Sequence, residues 1–299
     1  TAPLVVVLFD YTFLPGSFRD ILRRRWGLYL GLAATWSLSA YLVYKTGLIG
    51  ERDAVRAYGV MEYAQTQPGV ILYYLRLAVW PRPLCLDYGW QPAVVVPAVV
   101  AVAVLGCLIL WGLIRRQAWA FLGAAFFLIL APSSSFMPLG QIAFEHRVYL
   151  SLAAVVTLIV AGGYWIGRRF VDRGLLAAPT MRLAGVGAIV AVGVVLAVLT
   201  YERNRDYQSS LAIWQDTVAK APLSYIAWDN LGSVLQQGEY DKDRIDEAIR
   251  CHRKALDIRK GNPMALFGLG AALAKQKRLD EAIACYEEAL SVSPQFATA

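Results

Sequence analysis

Charged residues are scarce in this 299-residue chain, and the few that occur are unevenly placed. Asp, Glu, Lys and Arg make up only 17% of the sequence, whereas 58% of the residues are hydrophobic. Soluble globular domains average about 25% charged residues. The composition therefore excludes an ordinary soluble domain and indicates a membrane protein.

Cysteine and histidine are too few and too scattered for a zinc site. The four cysteines are Cys85, Cys107, Cys251 and Cys285, and the two histidines are His146 and His252. No C-x-x-C pair or other metal spacing joins them, although a structural zinc ion needs four such ligands. A Gly-rich phosphate loop and a nucleophile with its base and acid are also missing. We therefore predict no metal site and identify no cofactor.

The excess of basic residues lies in the apolar part of the chain. Residues 1–200 hold 16 Lys and Arg against 8 Asp and Glu, whereas residues 201–299 hold 13 against 14. The polar part has no Lys/Arg-rich face with interleaved aromatic residues, which nucleic-acid binding would require. The formal charge of +7 is thus a membrane-topology signal, and we predict no nucleic-acid partner.

Five apolar runs approach or reach the roughly 20 residues that cross a bilayer. They are residues 26–46, 92–114, 118–139 (interrupted by Pro132), 148–167 and 183–201, with a partial run at 1–9. Arginines flank them at 19–25, 115–116 and 168–182, all on one side if the spans alternate. The positive-inside rule makes that side the cytoplasm. We expect a transmembrane domain over 1–201, with the lipid bilayer as a partner and residues 47–91, 133–147 and everything after 201 outside the cytoplasm.

One stretch of the first outward loop is apolar but too short to cross. Residues 69–80 (GVILYYLRLAVW) combine aliphatic and aromatic side chains, which favours a helix in the plane of the membrane interface. Pro81 and Pro83 should end that helix.

A repeat follows the last apolar run. Its shared positions are Ala227, Trp228, Leu231, Gly232, Leu235, Ala248, His252 and Ala255, then Ala265, Leu266, Leu269, Gly270, Leu273, Ala282, Tyr286 and Ala289, with Pro294 at the end. The interval is 34 residues in the second helices and 38 in the first, because of four extra residues around 238–242. The pattern resembles the tetratricopeptide repeat, and Ser210 to Pro222, with Trp214, resembles a preceding half repeat.

Residues 202–299 are therefore expected to form an α-solenoid of a half repeat and two repeats. Stacked repeats need about three units for stability, so we expect further repeats in a longer protein. Core packing explains the aromatic residues and the paired alanines. Cys251 and Cys285 occupy equivalent positions and are expected to pack as small residues without forming a bridge.

Ionisable residues where a span begins are candidate site residues, because charge at membrane depth is costly. Glu145, His146 and Arg147, with Tyr149, stand at the entrance of the run that begins at 148. Arginine at a helix N-terminus suits a phosphate, since it is always charged and binds bidentately. The alternative is an interfacial anchor, in which Arg147 reaches lipid headgroups and Glu145 neutralises it.

Three other residues are weaker candidates. Asp87 has partly apolar neighbours, so burial would raise its pKa and suit it to general-base catalysis. A turn-forming role before Tyr88 and Gly89 is equally open. Arg76 and Arg82 could bind a lipid phosphate, or could face anionic headgroups without specificity.

The whole pattern resembles the transmembrane and tetratricopeptide-repeat-containing O-mannosyltransferase-like family, particularly its bacterial relatives. The resemblance runs through residues 8–20 (LFDYTFLPGSFRD), 72–90 (LYYLRLAVWPRPLCLDYGW), 145–150 (EHRVYL) and the repeats. It implies an all-α, GT-C-like polytopic bundle followed by the α-solenoid. It also implies transfer of a sugar from a polyprenyl-phosphate donor to a protein or other acceptor, which the repeats bind.

The resemblance bears on the site residues as well. Glu145 and Arg147 match the element expected near the lipid carrier, although Ser151 stands where a proline commonly follows Tyr-Leu. Catalytic acidic residues are expected upstream of Thr1, so the chain would be a C-terminal fragment and inactive alone. The implied location is the bacterial inner membrane, with the repeats in the periplasm.

Two other functions compete with sugar transfer. One is a membrane-anchored repeat scaffold for envelope assembly without catalysis, for which five spans and the aromatic segment 69–90 are more than is needed. The other is a transporter of a lipid-linked substrate. Internal symmetry of the spans is typical of transporters and is not visible in this sequence.

Overall fold

All regular secondary structure in the described part of the chain is helical. A computed structural model describes residues 2–46, 59–91, 93–132, 134, 142–143, 145–237 and 241–294, and these residues form twelve helices and no strand. The helices are α1 (Ala2–Phe13), α2 (Phe18–Thr46), α3 (Val60–Val79), α4 (Val96–Ile114), α5 (Ala118–Leu130), α6 (Glu145–Asp172), α7 (Ala178–Asp206), α8 (Ser210–Lys220), α9 (Tyr225–Leu235), α10 (Lys242–Ile258), α11 (Pro263–Lys275) and α12 (Leu279–Val292). The predicted all-α class is confirmed.

The helices fall into two compact units. The first comprises Thr1–Arg82 and Gln91–Val190, and the second comprises Pro83–Trp90 and Ala191–Ala299. The prediction divides the chain after residue 201 and keeps segment 83–90 with the membrane domain. In the structure this segment packs with the repeats instead, because Asp87 bonds to Ser224 and Gly89 lies against the Ser224 backbone.

Three helices are long and apolar enough to cross a membrane: α4, α6 from Arg147 onward, and α7. None of the 29 residues of α7 is buried, and many large apolar side chains of α4 and α6 also lie on the surface. Soluble proteins rarely expose continuous apolar surface of this extent. The predicted runs 92–114, 148–167 and 183–201 are thereby confirmed as long apolar helices.

In the described part of the predicted run 118–139, a short helix is followed by a turn. The helix α5 ends at Leu130 after 13 residues, which is too short to cross a bilayer. Pro132 has no N–H for another helical turn and disfavours helical geometry in the residue before it. Of the predicted run after Pro132, only Ser134 lies within the described residues.

The run at 26–46 is helical but is not one of the three long apolar helices. It lies within α2, which begins earlier, at Phe18, and bends at Arg25 (φ −120°, ψ 18°). Thr, Ser and Tyr side chains make this run less apolar than α4 or α7.

The apolar segment predicted at 69–80 is part of a longer helix. The helix α3 begins at Val60 and continues for 20 residues through Pro68. Its buried face comprises Tyr63, Thr66, Gln67, Val70, Ile71, Tyr74 and Leu77, at spacings of three and four residues. The prediction began at 69 because polar residues interrupt the apolar run before that point, although the helical periodicity persists. The predicted end before Pro81 is confirmed, with Trp80 as the C-cap.

Contacts between turns define the two ends of the first unit. The Arg116 side chain donates to the Gly16 carbonyl oxygen at 2.8 Å, which places the α1–α2 and α4–α5 turns together. These turns carry two of the arginine groups that the topology argument places on one side. At the other end, the Ala93 N–H donates to Thr66 Oγ1 at 3.2 Å, joining the start of α3 to the segment before α4.

The second unit contains the predicted half repeat and two repeats. The half repeat is α8, and the repeats pair α9 with α10 and α11 with α12. Six residues separate α9 from α10 and three separate α11 from α12, in line with the predicted insertion, of which residues 238–240 lie outside the described part. Each of the helices α8 to α11 begins after an N-cap residue whose side chain accepts a hydrogen bond from a backbone N–H group of the first turn. These N-cap residues are Ser209, Ser224, Asp241 and Asn262.

Candidate functional site

The predicted phosphate-binding arginine is held at the start of α6. Arg147 lies in the first turn of this helix and is half-buried. Its Nη1 donates to Tyr63 Oη at 3.3 Å and to the Ile142 carbonyl oxygen at 3.2 Å. Tyr63 is fully buried in α3. The two bonds fix the guanidinium group at the end of the first unit where α6 begins.

The other residues of this predicted element take different positions. Glu145 is the first residue of α6 and is half-buried, so it shares the helix N-terminus with Arg147. Tyr149 is 81% exposed, which separates its ring from the buried contact between Arg147 and Tyr63. The side chain of His146 lies outside the described part of the structure.

A buried amide one helical turn from Tyr63 was not anticipated from the sequence. Gln67 lies on the same buried face of α3. Its Nε2 and Oε1 atoms are both buried and have no hydrogen-bond partner among the described residues. Leaving a buried polar group unsatisfied costs about 1–3 kcal/mol. The sequence carried a sign of this residue, because Gln67 falls on the apolar face of the helix. The predicted segment began only at residue 69 and therefore left Gln67 out.

A second polar cluster of the first unit was also missed. Asp10 of α1 is almost fully buried and accepts from Arg25 Nη1 at 3.0 and 3.1 Å and from Tyr29 Oη at 2.8 Å. Arg25 entered the sequence analysis only as a topology signal. A lone aspartate in the apolar stretch LVVVLFDYTF was the available sign, because such a charge needs a partner.

The two weaker arginines lie on the surface. Arg76 is exposed, with its guanidinium carbon 6.0 Å from the centre of the Tyr73 ring. Arg82 is exposed as well. Both positions suit contact with anionic headgroups as well as with a specific phosphate.

Asp87 is buried against the first complete repeat. Its carboxylate accepts a hydrogen bond from Ser224 Oγ and further bonds from the backbone N–H groups of Tyr88 and Gly89. Burial raises the pKa of Asp87 above its ordinary value, and these three bonds partly oppose the rise. Ser224 in turn caps α9 by accepting from the Ala227 N–H at 2.9 Å. This bonding favours the turn-forming alternative for Asp87 over general-base catalysis.

Another residue of segment 83–90, Leu84, also contacts the repeat region. The Lys220 ammonium group donates to the Leu84 carbonyl oxygen at 3.1 Å. Lys220 also pairs with Asp216, which binds Arg203 at 3.0 Å. Cys85 is 1% exposed. The segment thus closes the start of the repeat array.

A buried imidazole joins the two complete repeats. His252 Nδ1 lies 2.7 Å from Asp229 Oδ1, and its Nε2 lies 2.7 Å from Gln236 Nε2. Gln236 also donates to the Gly268 carbonyl oxygen at 3.0 Å. A Cβ atom at Gly232 would lie 2.7 Å from the imidazole, so the close approach of these helices requires glycine. His252 is therefore part of the packing, as the repeat pattern predicts.

The described residues contain no group of three His, Cys, Asp or Glu side chains arranged to hold a metal ion. The side chains described where α6 begins are instead cationic and hydrogen-bonding, with Arg147 bonded to Tyr63.

Comparison with family models identifies the class of the second unit. Two tetratricopeptide-repeat models match the chain, one over residues 195–255 and the other over residues 263–296. The C-terminal region therefore contains tetratricopeptide repeats, which are protein-interaction modules. The first match reaches back into α7, and residues before 195 are covered by neither. No curated protein matches the sequence.

Proposed function

We propose that the chain is a membrane-embedded protein that serves the transfer of a sugar from a polyprenyl-phosphate donor to a protein acceptor bound by its repeats. The observation that carries the proposal is Arg147, half-buried in the first turn of α6 and held by Tyr63. A guanidinium group at a helix N-terminus provides both charge and hydrogen-bond donors for a phosphate.

The neighbouring residues support a polar ligand at this end of the first unit. Glu145 limits the net positive charge and can orient Arg147. Gln67, whose amide is unsatisfied among the described residues, lies one turn along α3 from Tyr63 and would gain partners from sugar or phosphate oxygens. His146, Tyr149, Arg76 and Arg82 are proposed as weaker contacts to the lipid phosphate.

The proposal assigns no catalytic residue within this chain. Asp87 is occupied by Ser224 and two backbone N–H groups. The donor itself is a substrate, and no other cofactor is proposed.

Binding of the carrier lipid tests the proposal without requiring turnover. The full chain in nanodiscs is titrated with polyprenyl phosphate lacking a sugar, and the bound lipid is counted by native mass spectrometry. We expect Arg147→Ala to abolish retention and Arg147→Lys to restore part of it, because lysine keeps the charge but loses the bidentate geometry. Arg182→Ala, at an exposed arginine of α7, is the matched control.

Equal retention of the lipid by the Arg147→Ala variant would refute the proposal. The repeats alone would then favour the membrane-anchored scaffold, which needs a protein partner but no lipid donor. Movement of labelled polyprenyl phosphate across proteoliposomes would favour the transporter.

The proposed location is a bacterial inner membrane with the repeats in the periplasm. A reporter fused after Tyr207 checks the orientation, since a reporter active only in the cytoplasm would overturn it.

A further inference from the structure

Six arginines lie at the end of the first unit that the α1–α2 and α4–α5 turns form. They are Arg19, Arg23, Arg24, Arg25, Arg115 and Arg116. Two of them are used by the fold. Arg25 donates to the buried Asp10 at 3.0 Å. Arg116 donates to the Gly16 carbonyl oxygen at 2.8 Å, and its guanidinium carbon lies 4.9 Å from the centre of the Tyr11 ring.

The remaining four arginines have no polar partner of this kind. They are Arg19, Arg23, Arg24 and Arg115, and all four are exposed. Within the described part of the chain, their guanidinium groups make no hydrogen bond or ion pair. Asp20 lies among them in the sequence and offsets one of the four charges. The group therefore keeps a net positive charge, and its members repel one another in the absence of an anion.

The fold holds these four side chains at one end of the unit. Arg19 and Arg23 are four positions apart, so they lie on one face of α2. The hydrogen bond from Arg116 to Gly16 joins the α4–α5 turn to the turn that directly precedes α2. Since Arg115 comes immediately before Arg116, it is held at the end where α2 begins.

Exposed aromatic and aliphatic side chains lie beside the four arginines along the chain. They are Phe18, Leu22, Trp26, Trp111, Ile114 and Trp119. The Arg115 guanidinium carbon lies 5.3 Å from the centre of the Trp111 ring, so the cation and the aromatic ring share one level. Tryptophan is enriched where a bilayer meets water, and basic residues there attract anionic headgroups. A lipid would contact both kinds of side chain, whereas a small soluble anion would contact only the arginines.

The use of arginine in place of lysine indicates a phosphate. Residues 1–200 contain fifteen Arg and one Lys, whereas residues 201–299 contain seven Arg and six Lys. Membrane topology requires positive charge, which either residue supplies. Arginine also binds two phosphate oxygens through parallel N–H bonds, whereas lysine acts as a point charge. Topology alone therefore does not explain the preference for arginine in the apolar part of the chain.

We propose that Arg19, Arg23, Arg24 and Arg115 bind the phosphate group of an anionic phospholipid of the surrounding bilayer. The acyl chains of this lipid lie against the neighbouring exposed aromatic and aliphatic side chains. The site is separate from the one proposed at Arg147, which lies where α6 begins. It does not depend on sugar transfer.

Native mass spectrometry of the full chain in neutral detergent micelles tests this site. The chain is titrated with phosphatidylglycerol or with phosphatidylcholine of the same acyl chains, since both contain a phosphate but only the first is anionic. We expect saturable binding of phosphatidylglycerol in preference to phosphatidylcholine. Combining Arg19→Gln, Arg23→Gln and Arg24→Gln should weaken that binding by at least about tenfold, because each cation near an anionic headgroup contributes severalfold.

A matched variant removes the same charge elsewhere. Arg168→Gln, Arg173→Gln and Arg182→Gln change three exposed arginines around the α6–α7 turn. This variant should keep the tightest phosphatidylglycerol binding within about twofold of the unmodified chain.

A lysine variant keeps the charge at the proposed site. Arg19→Lys, Arg23→Lys and Arg24→Lys together should restore only part of the binding that the glutamine variant loses, because the bidentate geometry is missing. Equal unfolding temperatures of the lipid-free variants show that the glutamine substitutions leave the fold intact.

Four outcomes would overturn the proposal. The two lipids bind equally, or the glutamine variant at residues 19–24 binds phosphatidylglycerol as tightly as the unmodified chain. The matched variant loses as much affinity, which indicates diffuse attraction to the net charge. Glycerol phosphate displaces the lipid completely, which makes a soluble phosphate ester the ligand. Arg147→Ala should leave phosphatidylglycerol binding unchanged, so this proposal and the carrier-lipid proposal can fail separately.

Discussion

Gly89 holds segment 83–90 against the repeats, and an added methyl group should release it. Its backbone lies in the left-handed region, with φ of 57°. A Cβ atom there would lie 2.5 Å from the Ser224 backbone nitrogen and 2.9 Å from both the Leu223 carbonyl carbon and Ser224 Cα. All three neighbours are main-chain atoms, so no side-chain rotation can relieve the collision.

The size of the effect follows from two contributions. A left-handed conformation costs a non-glycine residue about 1–2 kcal/mol. Inserting an extra carbon into a close-packed site costs about 1–3 kcal/mol. Together they disfavour the docked segment in Gly89→Ala by about 3 kcal/mol, which corresponds to a roughly hundredfold larger undocked population.

Thiol labelling measures this population, because Cys85 is buried only while the segment is docked. We expect N-ethylmaleimide to modify Cys85 about a hundredfold faster in Gly89→Ala, since labelling through local opening follows the open fraction. Cys251, buried in the core between α9 and α10, is the reference for unfolding of the repeats and should keep its rate.

A second glycine separates the collision from the backbone strain. Gly174 has φ of 69° but no neighbour within 4 Å of an added Cβ, so Gly174→Ala should leave Cys85 protected. An unchanged Cys85 rate in Gly89→Ala would refute the argument. So would equal acceleration at Cys251, because the damage would then lie in the repeat core.

Two further predictions concern the second unit. Burial raises the pKa of Asp87 in the folded chain, so its contribution to stability is complete below the ordinary pKa of 3.8 and is lost as the pH rises through the raised value. Asp87→Asn stays neutral and can still accept from Ser224. Asp87→Asn should therefore slow Cys85 labelling at neutral pH. The difference in labelling rate between this variant and the unmodified chain should shrink as the pH falls. Faster labelling of the variant at neutral pH would contradict the argument. Ile245→Ala should destabilise the repeats by about 3 kcal/mol, whereas Leu279→Ala should change stability by less than about 0.5 kcal/mol. Hydrogen exchange of the α10 and α11 amides checks the pair, and similar losses in both variants would show that the exposed face is already covered.

The repeats were predictable from sequence because their packing is periodic and local. Small residues such as Ala227 and Ala265 recur at fixed intervals, and each contacts a helix that is a neighbour along the chain. The apolar runs of α4, α6 and α7 were predictable for a similar reason, since length and composition alone identify them. The end of α5 at Leu130 agrees with the interruption of its apolar run by Pro132, because proline disfavours a further helical turn.

Contacts between distant parts of the chain could not be read from periodicity. Asp87 and Ser224 are 137 positions apart, and each alone has the ordinary appearance of a turn residue. The same holds for Arg147 and Tyr63, which come from helices 84 positions apart. Glu145 and Arg147 were found because charge is conspicuous beside an apolar run. Gln67 was missed because its neutral amide does not stand out from the neighbouring residues.

The start of the repeat array is covered by a segment that comes from a distant part of the same chain. At the start, the chain supplies its own cover, as Leu84 accepts from Lys220 and Asp87 accepts from Ser224. With these bonds in place, Cys85 is buried.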